Sequence, residues 1–336
     1  MRFGAVFPTT EIGNDPIAVR DFAQAAEALG YVRLTTYDHV LGADHADRTP
    51  PLTGPYTQHD PFHEALVLLE YLAGLTSTIE LATGVLILPQ RQAVLVAKQA
   101  AEVDLLSGGR LVLGVGTGWN HVEYTALGIP FGSRARRMEE QVGVLRALWG
   151  DELVDFNGEF HRIDRAALVP RPSRPIPVWF GGSKLGSLRR AARIGDGFIF
   201  GRSSPTIVEA TTTLRSLLVE QGRDPATFGS EMLIDYALGP ETWHEHAAAF
   251  EQAGGSIISM RACSRLTAKC SKTMSQAFGL RPTTTGLDVS LQIVPGARPR
   301  VAFRTAISNS FNAFHASDLG LPRAEFNRMP MILRLP

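Results

Sequence analysis

Residues 83–124 read TGVLILPQRQAVLVAKQAAEVDLLSGGRLVLGVGTGWNHVEY, and this stretch decides the fold. It predicts a strand, a loop, a helix over Ala93–Leu106, a stop at Ser107-Gly108-Gly109, a second strand and then a glycine-rich mouth. That is one and a half βα units. Gly84, Gly116 and Gly118 stand where backbone can approach another group closely. Trp119 and Glu123 follow, and neither is needed merely to turn a chain.

Outward from this block the alternation continues. Strands are expected near Phe3–Phe7, Val32–Thr36, Ile79–Leu88, Leu111–Val115, Pro177–Phe180, Gly197–Phe200, Met232–Leu238 and Ser256–Met260. Helices are expected over Pro16–Leu29, Pro61–Leu75, Ala93–Leu106, Arg134–Trp149, Lys184–Ile194, Thr206–Gln221 and Trp243–Gln252. Asp15 before Pro16 is an N-cap followed by proline at the first helical position, and Asp60-Pro61 repeats the signal. Alternating β and α implies a parallel sheet with helices outside. Eight repeats over residues 1–260 match a (β/α)8 TIM barrel; a doubly wound open sheet is the other arrangement of this pattern. Between the fourth and fifth strands, about 120–175, there is an insertion. It contains LVDFNGEFHRI, in which Asn157-Gly158 predicts a hairpin with a type I′ turn.

Bulk properties narrow the class. Hydrophobic residues make up 44% of the 336-residue chain, and no apolar run reaches the length of a membrane span. The opening MRFGAVFPTT reads as a first strand broken by Pro8, not as a secretory leader. Cys263 and Cys270 are the only cysteines, which fits a reducing compartment, so a cytoplasmic location is expected. Net charge is zero, which argues against nucleic acid as a partner. Yet residues 1–260 carry 22 Lys+Arg against 30 Asp+Glu, and residues 261–336 carry 11 against 3. The second segment is basic and rich in Ser, Thr and Pro. It is read as an atypical tail, a candidate for poor order.

In a barrel the chemistry sits at the carboxyl ends of the strands. There stand Tyr37-Asp38-His39, Thr83-Gly84-Val85, Gly116-Thr117-Gly118-Trp119, Gly181-Gly182-Ser183 and Gly201-Arg202. Asp38 and His39 offer a carboxylate and an imidazole, and histidine exchanges protons near neutrality. A histidine hydrogen-bonded within a loop is the other reading of that pair. Gly181-Gly182-Ser183 is either a phosphate cradle at a helix start or a tight turn in which Ser183 caps the helix. His59, Asp60, His63 and Glu64 do not make a metal site, because Asp60-Pro61 puts His59 outside the helix and no third ligand has the spacing. Gly114-Val115-Gly116-Thr117-Gly118 is not a dinucleotide fingerprint, since Trp119 is not the glycine required. A methyltransferase reading lacks the acidic strand residue before it.

Taken together, Leu88-Pro89, Arg91, Ala97-Lys98, Asp104, Ser107-Gly108-Gly109-Arg110, Gly114 to Asn120 and Glu123 resemble the luciferase-like superfamily. Tyr37 to Val40, Asp60-Pro61-Phe62, Pro177, Gly181-Gly182-Ser183 and the run from Ala191 to Gly197 extend the resemblance, which is to its deazaflavin (coenzyme F420) dependent oxidoreductases of actinobacterial type. The resemblance covers about residues 1–260. It implies a barrel that holds a flavin-type ring, with a cis non-proline peptide joining Gly84 to Val85. Asp38, Thr83, Gly84, Val85, Gly116, Gly118 and Trp119 would line the ring, with Gly181, Gly182 and Ser183 at the coenzyme's phosphate. His39, with Asp38 beside it, would serve the hydride-transfer centre. The implied activity is hydride transfer between F420 and a small organic substrate. FMN-dependent monooxygenation and non-catalytic coenzyme binding are the alternatives. The expected partners are that small molecule and a second copy of the chain in a homodimer, with no membrane and no metal. Residues 261–336 depart from the family pattern, as a change of reading frame or a lineage-specific extension would produce. Pro50, Pro51, Tyr56, Phe131 and Trp119 point to a partly aromatic substrate pocket.

Overall fold

The structure is a computed structural model that describes residues 1–182 and 184–261. Ser183 and the expected tail, Arg261 apart, lie outside the described residues. In chain order the strands are β1 (Arg2–Val6), β2 (Arg33–Thr36), β3 (Glu80–Thr83), β4 (Leu86–Ile87), β5 (Leu111–Gly116), β6 (Val154–Asn157), β7 (Arg162–Ala166), β8 (Val178–Gly181), β9 (Gly197–Phe200), β10 (Gly229–Asp235) and β11 (Ile257–Arg261). The α-helices are α1 (Pro16–Ala28), α2 (Ala65–Ala73), α3 (Ala93–Leu106), α4 (His121–Ala126), α5 (Arg134–Gly150), α6 (Leu185–Ile194), α7 (Pro205–Glu220) and α8 (Pro240–Gln252). β3 and β4 are one barrel strand interrupted at Gly84-Val85, since both pair with β5. β1 pairs in parallel with β2 and with β11, which closes the ring. The result is the expected eight-stranded parallel barrel, with β6–β7 as a separate antiparallel hairpin.

Where local signals are strong, expectation and structure coincide. The Asp15 side chain accepts from the Ile17 N–H, and α3 ends at Leu106 before Gly108 and Gly109, both at positive φ. Four local expectations need correction. Helix α2 starts at Ala65, because Glu64 caps it by accepting from the Val67 N–H; Asp60 instead accepts from the amide and hydroxyl of Thr57 and folds the preceding loop. Strand β10 runs Gly229–Asp235 and gives way to a 3₁₀ turn over Tyr236–Leu238, so α8 begins earlier, at Pro240. The short helix α4 was not anticipated. The hairpin is present without a type I′ turn: neither Asn157 nor Gly158 has positive φ, and Asn157 pairs with Arg162 across a longer loop. Glu140 makes that loop, taking the amides of Glu159, Phe160 and His161.

Two apolar layers hold the barrel. The larger one lies between strands and helices, and includes Leu34, Leu69, Ala100, Leu145, Phe180, Phe198 and Phe250. The second fills the barrel interior with Val6, Ala82, Val112, Trp179, Ile199, Leu233 and Ile257. Tyr37 and Val85 pack against this interior set. Period-two alternation explains the sorting: on β2, Arg33 and Thr35 point inward, so Tyr37 does as well, while Leu34 joins the outer layer.

Candidate active site

That alternation separates the Asp38–His39 pair. Asp38 has no exposed side-chain surface and turns into the wall, where one oxygen accepts from the Ile87 N–H at 2.8 Å and the other from Arg91 Nη2 at 2.7 Å. Burial pushes its carboxyl up, against the pull of the Arg91 guanidinium and the Ile87 amide. Arg91 also binds Glu64 at 2.6 Å, so Asp38 fixes the segment after β4. His39 has a different carboxylate: its Nδ1 lies 3.2 Å from Glu123 Oε2. Glu123 Oε1 accepts from the Val40 and Leu41 amides. Burial opposes ionisation of Glu123, but the hydrogen bonds from His39 and Val40 outweigh it and hold its carboxyl below the usual range. A carboxylate only accepts, so Nδ1 carries the proton and Nε2 is left for other work.

Glu123 was not among the expected site residues. Its signal was an acidic residue in the first turn of α4, behind Asn120, whose side chain caps the amides of Val122 and Glu123. Around His39 stand the rings of Phe62, Tyr56 and Trp119, at centroid distances of 4.9, 5.5 and 5.5 Å. The loop 41–60 rests on the same segment. Asn120 donates to the Leu41 carbonyl, His121 Nε2 lies 3.1 Å from the Pro50 carbonyl, and Gly54 lies against the Trp119 indole so closely that a Cβ would fall 2.2 Å from it.

Two of the glycines expected around the coenzyme, Gly116 and Gly181, converge on one side chain. The Gly84–Val85 peptide is cis. A Cβ at Gly116 would lie 2.3 Å from one Val85 methyl, and a Cβ at Gly181 would lie 2.6 Å from the other. A Cβ at Gly84 would lie 2.3 Å from Thr35 Cγ2. These glycines therefore make room for the bulge itself, and Val85 is the floor they surround. Gly118 sits beyond them at φ +61°. Thr83 is buried in the wall and donates its hydroxyl to the Gly114 carbonyl at 2.7 Å. Gly182 has φ +143°, reserved in practice for glycine, and precedes α6, whose N-cap Lys184 makes no side-chain capping bond. Among the described residues, no group of three or more His, Cys, Asp or Glu could hold a metal ion, and no helix is long and apolar enough to cross a membrane.

The same fold recurs in known proteins. The family described as luciferase-like monooxygenase matches residues 1–267, and the chain belongs to it. An uncharacterized protein of Mycobacterium tuberculosis is 37% identical over 187 residues, 54% of this chain and 65% of that one. The F420-dependent glucose-6-phosphate dehydrogenase of Kineococcus radiotolerans is 34% identical over 55% of this chain and 52% of its own length. The chain thus spans less than two thirds of these relatives. A solved F420-dependent secondary alcohol dehydrogenase, in complex with an F420-acetone adduct, shares the fold with a TM-score of 0.64 at 19% identity, covering 77% of this chain and 92% of that one.

Proposed function

We propose that the protein is an oxidoreductase that transfers a hydride between coenzyme F420 and a small organic substrate. The observation that carries this reading is the buried His39–Glu123 pair, with the Trp119 ring against the imidazole. The residues fit a flat ring: Val85 offers an apolar surface, and Gly116, Gly118 and Gly181 add no side chains around it. Gly182 and the positive end of α6 suit the coenzyme's phosphate. When bound, the deazaflavin supplies the carbon that gives or takes the hydride. His39 holds or moves a proton at Nε2, with Glu123 fixing its tautomer and ring plane. Phe62, Tyr56 and Trp119 exclude water from that proton. Asp38 acts through the wall as a positioning group, not on the substrate.

An FMN-dependent monooxygenase is the second reading, favoured by the family's own description. Titrating the purified full chain with F420 and with FMN separates the two: tight binding of FMN with none of F420 overturns the first. Replacing His39 with Ala should lower turnover about 10²–10⁴-fold while F420 affinity is retained. Unchanged turnover removes His39 from the proton path. Coenzyme binding without turnover on any alcohol or ketone supports a binding protein instead.

A further inference from the structure

Tyr37, Asp235 and Arg261 make a second polar group at the barrel mouth. Each is the next inward residue above a filled layer: Tyr37 follows Arg33 and Thr35, Asp235 follows Glu231 and Leu233, and Arg261 follows Ile257 and Ser259. Asp235 and Arg261 are register partners on neighbouring strands. Arg261 Nε and Nη2 grip the two Asp235 oxygens as a fork, the latter at 2.7 Å, and Nη1 donates to the Tyr37 hydroxyl oxygen at 3.4 Å. Among the described residues, this uses three of the five guanidinium N–H groups. Two N–H groups and the Tyr37 O–H are left, all donors. The Arg261 and Asp235 side chains keep 16% and 14% of their surface exposed.

The group is not far from the proton site. Tyr56 stands between them, 6.4 Å from the Tyr37 ring and 5.5 Å from His39. Its charge is already balanced, because Asp235 neutralises Arg261. Glu11 lies in the same field, its carboxyl pushed up by burial and pulled down by Thr10 and Arg261. A further anion would meet two carboxyl groups facing one spoken-for guanidinium, whereas a neutral oxygen would meet three donors.

We propose that Tyr37 and Arg261, braced by Asp235, anchor the substrate through a neutral oxygen, a hydroxyl or carbonyl, and select against carboxylates and phosphates. This deepens the oxidoreductase reading by naming the substrate class, and its test does not depend on turnover. Four probes sharing one ring, cyclohexanol, cyclohexanone, cyclohexanecarboxylate and cyclohexyl phosphate, are titrated into the full chain by ligand-observed NMR, with and without F420. The neutral pair should bind about tenfold or more tighter than the anionic pair. Tyr37→Phe, which removes the O–H together with the oxygen that accepts from Arg261 Nη1, should weaken the neutral probes about 3–10-fold. Arg261→Lys, which keeps the charge beside Asp235 but loses the fork, should weaken them in the same direction, with F420 affinity unchanged in both variants. Anionic probes binding as tightly as neutral ones, no neutral probe binding to the wild type, or Tyr37→Phe without effect would each overturn the anchor. If the probes behave as expected but F420 does not bind, the coenzyme assignment falls and the anchor stands.

Discussion

At the scale of single residues, the decisive atom pair is His39 Nδ1 and Glu123 Oε2. Glu123 accepts three hydrogen bonds while fully enclosed, so its carboxylate form is favoured in the folded chain. The folded carboxyl lies below the 4.5 of the unfolded one, so the unfolded chain takes up its proton first. The stability Glu123 contributes is therefore present above that value and lost as pH falls through the lower, folded one. Urea midpoints, followed from neutral pH down through the carboxylate range, should decline on acidification. Glu123→Gln should flatten part of that decline. In that variant the one remaining oxygen is held by the Val40 and Leu41 amides and an NH2 donor faces Nδ1, which moves the ring proton to Nε2, so turnover should fall toward the 10²–10⁴-fold lost with His39, while F420 affinity is kept. A flat acid profile in the wild type, or full turnover in the variant, would show that the pair does not orient the imidazole.

At the scale of elements, the interrupted strand β3–β4 is held by its neighbours. Val85 lies between Gly116 on β5 and Gly181 on β8, so either glycine given a methyl collides with it. Gly116→Ala should destabilise the chain by about 1–3 kcal/mol through overpacking and weaken F420 binding with it. Val85→Ala in the same chain should return most of the lost stability, read as a coupling in a double-mutant cycle by urea unfolding. Additive effects would mean that Val85 and Gly116 do not meet. This is also where the sequence was only half legible. The barrel could be read from alternation, and α1 and α3 from caps that act within one turn. The glycines at 84, 116 and 181 could be read as sites of close approach, but not as approaches to Thr35 and Val85, since those contacts join different strands. Asp60-Pro61 misled because a nearer partner, Thr57, takes the carboxylate. Glu123 stood out in the sequence but could not be assigned to the site, because the amides it binds belong to the loop after β2, far away in the chain. The alternation of β2, carried one step past its end, turns Tyr37 inward and Asp38 into the wall, against the expectation that Asp38 lines the ring.

At the scale of the whole molecule, the barrel is tied across its interior by charge as well as by apolar packing. Arg33 of β2 is 1% exposed and reaches Glu80 of β3 at 2.7 Å and Glu231 of β10 at 2.9 Å. Thr35 and Ser259 donate to the other oxygen of Glu231, at 3.0 and 2.5 Å. The Trp179 ring of β8 lies 4.1 Å from the Arg33 guanidinium, and it lies so close to Gly197 and Gly229 that a Cβ on either would fall 2.3 Å from it. Strands from all around the ring thus meet at one guanidinium. Breaking the group from one side should be costly: Arg33→Met leaves Glu231 buried with two neutral donors and no counter-charge, a loss of about 3–5 kcal/mol. Removing both charges, as Arg33→Met with Glu231→Leu, should recover much of that loss, because the desolvation cost of two ions disappears with their attraction. Urea unfolding of the two variants decides the matter. A single variant as stable as the wild type would mean that the apolar interior alone closes the barrel. A double variant no better than the single would mean that the hydrogen bonds of Thr35 and Ser259, not the charge of Arg33, keep Glu231 in place.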